Sequence, residues 1–266
     1  MNTPLVEAAA ALRRAHEAGT PCPPIRSASL RNNPETGYAV QELNTQYWLN
    51  AGRVLVGRKI GLTSEAVQSQ MGVNQPDFGM LFADMEIAEG ESIAAGRLMQ
   101  PRVEGEVAFT VARDLMDRIH RADVAAALAY AQVAAEIVDS RIENWDIQIV
   151  DTVADNASSG VYVLGPQKVP LEGLDLANGT MVLERRGEIC SSGTGTACLG
   201  HPLNAVTWLV NTMVEVGRPL RAGDLILSGA WGPLVPARPG DHLTLRITGL
   251  GEAHVVFAPL GHAENG

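Results

Sequence analysis

Cysteine is scarce: Cys22, Cys190 and Cys198 are the only three in 266 residues. They form no Cys-x-x-Cys pair and no even-numbered framework, so they read as reduced thiols rather than disulfide partners. No basic neighbour in the chain depresses any of their pKa values, which argues against a cysteine nucleophile. Positive charge is also in deficit. The formal net charge of −10 argues against nucleic acid or an anionic membrane surface as the main partner. It leaves room for a small anionic substrate, because a bound metal ion inverts the local field. Long apolar runs are missing. The least polar stretch, residues 122–138, carries Asp123, Gln132 and Glu136, which excludes a membrane span. The opening Met1-Asn2-Thr3-Pro4 has neither the basic nor the apolar region of a signal peptide, so the expected location is cytoplasmic.

Several catalytic signatures are absent as well. Ser191-Ser192-Gly193-Thr194-Gly195-Thr196 resembles a phosphate loop but lacks its Lys-Ser/Thr, and no strand-to-helix Gly-x-Gly-x-x-Gly follows. Without a Gly-x-Ser-x-Gly elbow, a Ser-His-Asp hydrolase is disfavoured. His201 stands just before Pro202 at a helix start, where a local capping role is expected. There is no internal repeat and no low-complexity linker.

What remains is an ordinary globular composition, 46% apolar and 19% charged, with material for a substantial core. Helical patterning covers residues 4–19 and 36–52, and a strand is expected over 53–62. Ser64 is placed to cap a short helix ending near Met71, and residues 72–79 form a loop. Beyond that the pattern changes to short strands, at 84–88, 102–112, 160–165, 180–185, 224–229, 243–248 and 252–258. Helices are expected to interrupt at 121–143 and 202–216. The fold class is therefore α+β, with residues 1–78 as an N-terminal helical cap region and 79–266 as a β-rich catalytic domain.

The most informative residues are Glu104 and Glu106, in Arg102-Val103-Glu104-Gly105-Glu106-Val107-Ala108-Phe109-Thr110-Val111. In a strand both carboxylates project from one face, with Val103, Val107, Phe109 and Val111 on the other. Like charges that close do not both ionise cheaply unless a cation lies between them. Glu136, read as part of a helix over 122–141, supplies a third carboxylate. Asp139, one helical turn on, competes for that role. Such a cluster suits a hard divalent ion, Mg²⁺ or Mn²⁺. Lys59, on a strand ending at Gly61, is a cation that could meet a substrate oxygen. Asp77, between Pro76 and Phe78, is a candidate proton shuttle. The polar segment 151–160 has too many small hydrogen-bonding groups for a buried strand and could wrap an anionic ligand.

Six segments in order carry a resemblance: Lys59–Thr63, Gly72–Gly79, Leu81–Met85, Gln100–Glu106, Asp151–Gly160 and Cys198–Asn204. Together they resemble the 2-oxopent-4-enoate (2-hydroxypenta-2,4-dienoate) hydratases of the fumarylacetoacetase superfamily. The resemblance implies a mixed β-roll core and a divalent metal on Glu104, Glu106 and Glu136. It implies addition of water to 2-hydroxypenta-2,4-dienoate, giving 4-hydroxy-2-oxopentanoate in meta-cleavage catabolism of aromatic compounds. Lys59 would orient the substrate oxygens, Asp77 would transfer protons or activate water, and Ser159 would bind substrate. The 4-oxalocrotonate decarboxylases and 2-oxo-hept-4-ene-dioate hydratases share the scaffold. The form of Pro76-Asp77-Phe78-Gly79 favours the hydratase. Family habit also implies a homo-oligomer, pentamer or decamer, and association with a pathway decarboxylase or aldolase.

Overall fold

In the computed structural model, which describes residues 3–27 and 29–260, two helices lead the chain, α1 (Thr3–Ala18) and α2 (Pro34–Asn50). The second is specified locally: the Asn33 side chain accepts from the Thr36 N–H, and Pro34 fills the first turn. Both helices bury small faces (Ala8, Ala9 and Leu12 on one, Val40 on the other) against Ile25, Leu30 and Ile142, which makes a satellite core. Next come β1 (Leu55–Gly61), α3 (Glu65–Met71) and β2 (Asp77–Phe82). As expected, the Ser64 hydroxyl caps α3, and left-handed Gly72 ends it.

Two short strands follow, β3 (Glu86–Ile87) and β4 (Ser92–Ile93), then the long hairpin partners β5 (Arg102–Val111) and β6 (Leu128–Val138). After α4 (Ile149–Ala154) come β7 (Ser159–Leu164), β8 (Thr180–Arg185), β9 (Glu188–Thr194) and α5 (Pro202–Glu215). The chain closes with β10 (Leu225–Leu227), β11 (Val235–Pro236), β12 (His242–Ile247) and β13 (Gly251–Phe257). One mixed sheet runs β2-β1-β10-β5-β6-β7-β3, with β11 also paired to β5. The other runs β4-β13-β12-β8-β9. The β-rich α+β class with helices at the N-terminus is thus borne out. β1 and β2 belong to the larger sheet, and their pairing continues on both sides of the division expected after residue 78, through Gly61↔Asp77, Ile60↔Phe78 and Lys59↔Gly79.

The two faces of β5 have different neighbours. On one, a side chain at Gly105 would collide with Leu245 and Met181 of the second sheet. That face, with Val103, Val107 and Phe109, is core. The opposite face carries Arg102, Glu104 and Glu106. At Gly57 a Cβ would stand 2.0 Å from the Leu225 carbonyl oxygen, so glycine permits β1 to lie parallel against β10.

Two expected elements differ. Residues 128–138 form a strand, not part of a helix over 121–143. The alanine-rich stretch Ala131–Val138 is buried on both faces, so its apolar pattern has no period that separates helix from strand. The long antiparallel partner β5 then decides the matter through the ladder. Residues 151–160, read as a polar loop, include the end of α4 and the start of β7. They are polar yet mostly buried, because their groups are satisfied internally. Asp151 accepts from the Ile25 and Arg26 backbone N–H groups and pairs with the Arg26 guanidinium.

The shortest of these internal bonds join Arg141 and Asp155. Arg141 donates from its backbone N–H (2.9 Å) and Nε (2.5 Å) to the Asp155 carboxylate. The remaining guanidinium nitrogens reach the Asp155 and Ser159 carbonyls. Removing one partner strands a buried charge. Asp155→Ala should therefore destabilise the chain by about 3–5 kcal/mol, read as a lower urea midpoint at unchanged slope. A loss under about 1 kcal/mol would show the pair to be dispensable.

Candidate active site

The register between β5 and β6 places Glu104 directly opposite Glu136. Residues so paired share a face, and Glu106 lies two positions along on that same face. One oxygen from each of the three carboxylates lies within 4.8 Å of the others. The third carboxylate therefore comes from a neighbouring strand, not from a helix. Asp139 lies past the end of β6 and is not part of this cluster. Asp139 instead accepts the backbone N–H groups of Met99 and Gln100.

All three glutamates are buried, Glu106 at 0% exposure. Burial, reinforced by the charge of Glu136, pushes Glu104 up to about 8 and Glu106 well above the usual carboxylate range. Lys59 reaches the cluster from β1. Its Nζ lies 3.2 Å from Glu136 Oε1 and donates to the Ala157 carbonyl at 3.1 Å. Burial opposes the ammonium charge, but Glu136, Glu104, Asp77 and Glu106 outweigh it, so its pKa is raised and Lys59 stays cationic. One lysine does not balance three glutamates. The Gly229 N–H donates to Glu106 Oε2 at 2.7 Å, while Glu106 Oε1 and Glu136 Oε2 have no hydrogen-bond partner. Unmatched buried carboxylate oxygens are costly. An all-oxygen, net-negative donor set of this kind fits a hard divalent cation.

Asp77 begins β2 opposite Gly61. A Cβ at position 61 would sit 2.3 Å from Asp77 Oδ1, so glycine there makes room for the carboxylate. Asp77 Oδ1 also has no partner, and burial, only partly countered by Lys59, pushes Asp77 up to about 6. Lys59, Asp77 and Glu104 line one cavity of about 910 Å³. Thr152 and Ser158 add hydroxyls to its wall, and Trp231, Met71 and Leu234 add apolar surface.

Ser159, expected to bind substrate, is placed elsewhere. Its hydroxyl donates to the Asn156 carbonyl at 2.8 Å, and it lines a separate small cavity beside α1 and α2. Asn156, Ala157 and Ser158 are all left-handed (φ 57, 52 and 52). That run turns the chain so that Ser158, not Ser159, faces the large cavity. The Ser158 hydroxyl shares a 3.2 Å hydrogen bond with Thr152. Reasoning from sequence missed Ser158, Thr152 and the segment Ser192–Thr194, which also lines the cavity. Its likeness to a phosphate loop was the available signal, set aside for want of a lysine. His201 has the expected local role, its Nδ1 accepting from the Leu203 N–H.

No helix among the described residues is long and apolar enough to cross a membrane. The model of the fumarylacetoacetate (FAA) hydrolase C-terminal family matches residues 55–257. Two proteins of Dechloromonas aromatica (strain RCB), 2-keto-4-pentenoate hydratases 2 and 1, are 55% and 56% identical, each over 95% of this chain and 97% of its own length. Among solved structures, 4-oxalocrotonate decarboxylase from Pseudomonas putida G7, complexed with magnesium and adipate, superposes with a TM-score of 0.92 at 32% identity. That match covers 97% of this chain and 98% of the decarboxylase. A three-glutamate cluster on a curled sheet, a full-length fold match and this level of identity lead to one conclusion: the chain belongs to the fumarylacetoacetate hydrolase family, alongside its 2-keto-4-pentenoate hydratases.

Proposed function

We propose that the chain is a metal-dependent hydro-lyase that adds water to 2-hydroxypenta-2,4-dienoate (the enol of 2-oxopent-4-enoate), giving 4-hydroxy-2-oxopentanoate. The observation that carries this reading is the buried, under-neutralised cluster Glu104–Glu106–Glu136, whose Glu104 lines a cavity shared with Lys59 and Asp77. The hydratase relatives support the choice of reaction. Glu104, Glu106 and Glu136 would hold Mg²⁺ or Mn²⁺, and the ion would supply Lewis acidity toward the C1 carboxylate and C2 oxygen of the substrate.

The protein's own groups then have defined tasks. Lys59, fixed by Ala157 and Glu136, orients the C2 oxygen by donating to it and favours the enolate over the enol. The hydroxyl proton leaves C2, and a proton arrives at C5. This moves the remaining double bond between C3 and C4, in conjugation with the new C2 carbonyl. A water oxygen then bonds to C4 while C3 takes up a proton, so one water is added and no redox partner is needed. Asp77 is the proton carrier: buried, with one free oxygen, it takes a proton from the attacking water. Ser158 and Thr152 offer hydroxyls to the substrate from the cavity wall.

The direct test is purified protein with freshly made dienoate and Mg²⁺ or Mn²⁺. Loss of the diene absorbance should accompany a product heavier by one water. No turnover with either ion would overturn the proposal, and carbon dioxide released from 4-oxalocrotonate would move the assignment to the decarboxylase.

Glu106→Gln should weaken Mn²⁺ binding by more than about 100-fold and abolish turnover. Because burial and the neighbouring carboxylates already disfavour the charged form of Glu106, its neutral isostere should leave the metal-free variant melting no lower than metal-free wild type. Calorimetric Mn²⁺ binding at wild-type strength would refute the ligand assignment.

The pH dependence has a definite sign. If Asp77 acts as a base, kcat/KM rises with pH through about 6 and levels above it. A cation at the glutamates shifts that limb lower, never higher. Asp77→Asn should lower kcat by about 10²–10⁴-fold and erase the limb. A limb that persists in the variant belongs to another group.

A further inference from the structure

The small cavity beside α1 and α2, about 110 Å³ in volume, takes no part in the chemistry above. It has room for several waters or one small polyatomic ion. Its charged lining is uneven: Arg13, Arg53, Arg97 and Arg141 stand against Asp139 and Asp155. In a chain of net charge −10, four cations facing two anions are a local reversal of sign. A cleft of that kind concentrates anions.

Both aspartates are already taken. Asp139 accepts the Met99 and Gln100 backbone N–H groups, and Asp155 holds Arg141. The arginines nearer solvent are not matched in the same way. Arg13 gives one hydrogen bond, at 2.6 Å, to the neutral side chain of Asn44. Arg97 gives one, at 2.9 Å, to the Asp84 backbone carbonyl. Among the described residues neither pairs with a carboxylate, whereas Arg53 does, with Asp84 at 2.8 Å. A guanidinium carries five N–H donors, so most of those on Arg13 and Arg97 are free for a ligand.

These cations come from separate parts of the chain: Arg13 from α1, Arg53 from the link between α2 and β1, and Arg97 from the link between β4 and β5. Arg13 is steadied over the Tyr47 ring, 4.5 Å from its centroid, and Arg53 over Phe82 at 4.2 Å. Arg53 and Arg97 converge on Asp84. His16, edge-on to Trp48 in the same cleft, registers the field. Partial desolvation, then the charges of Arg141, Arg53 and Arg97, push it down to about 4. One guanidinium can satisfy a carboxylate through two parallel bonds. Two under-used guanidinium groups on different elements suit a compact anion with more oxygens.

The floor of the cleft links it to the large cavity. Arg141, Asp155, Asn156 and Ser159 line the small one, while Ala157 and Ser158 line the large one. A single left-handed turn thus has a face in each.

We propose that this cleft is a receptor for a small tetrahedral oxyanion of the phosphate class, held by Arg13 and Arg97, whose binding steadies the turn 156–159 from behind. The site is independent of the metal cluster and of the reaction proposed above. The test is calorimetric titration of the Mg²⁺-loaded protein with inorganic phosphate, beside acetate at equal ionic strength. Phosphate should bind saturably, at least about tenfold more tightly than acetate. Arg13→Gln and Arg97→Gln, with circular dichroism checked, should each weaken it about tenfold, and Arg97→Lys should keep part of the affinity. Glu106→Gln, altered only at the metal cluster, should bind phosphate as wild type does. Amide hydrogen exchange over 156–159 should slow when phosphate is added to wild type, and not in the double variant Arg13→Gln/Arg97→Gln. Three results overturn the site: no saturable binding, equal affinity for acetate, or binding that survives both arginine changes. Phosphate binding lost in Glu106→Gln would place the anion on the metal and overturn it as well. Binding at the arginines with unchanged exchange overturns the steadying of the turn.

Discussion

Everything at the site depends on repulsion among three carboxylates that the β5–β6 ladder does not allow to separate. Glu104 and Glu136 are locked opposite each other by pairing that extends along most of both strands, and Glu106 follows from the two-residue repeat of the strand. The ladder that crowds them is also the spine of the larger sheet. Its other face is core, closed by Leu245 and Met181 against Gly105. The cluster therefore cannot relax without disturbing the packing beneath it. Lys59 relieves part of the charge from β1, and the Gly229 N–H relieves another part.

This arrangement explains why the surroundings of the cluster are so fully specified. Gly61 keeps a space free for the Asp77 carboxylate. Three consecutive left-handed residues aim the Ala157 carbonyl at Lys59 and the Ser158 hydroxyl at the cavity. The Arg141–Asp155 pair fixes that turn from behind, through the Ser159 and Asp155 carbonyls. Most polar groups here are buried with a partner, and of the seven buried side-chain atoms without one among the described residues, Asp77 Oδ1, Glu106 Oε1 and Glu136 Oε2 gather at the site.

Much of this was legible in the chain itself. The period-two run around Glu104 announced a strand with two carboxylates on one face, and the cap at Ser64 and the start of α5 follow from residues within one turn. Glu136 was recognised but placed on the wrong kind of element. Alanine, glutamine and glutamate favour helix locally, and only the distant partner strand makes residues 128–138 extended. That Ser158 rather than Ser159 lines the large cavity was hidden for a related reason. A left-handed run of Asn156, Ala157 and Ser158 has no glycine to mark it, so the residue that faces inward could not be read from the order of side chains. The hydroxyls of β9 were hidden because the second sheet brings them over the cavity from almost a hundred residues away.

Gln41 ties the helical layer to this machinery. Its amide donates to the Phe78 carbonyl at 2.9 Å and to the Val153 carbonyl at 3.0 Å, spanning β2 and α4 from α2. A single buried side chain thus clasps the strand that opens with Asp77 and the helix that carries Thr152. The leading helices are accordingly not a detachable ornament on a self-sufficient pair of sheets. A shortened chain starting at β1 would leave both carbonyls stripped of their donor, and the walls of the reaction chamber would lose their common hinge pin.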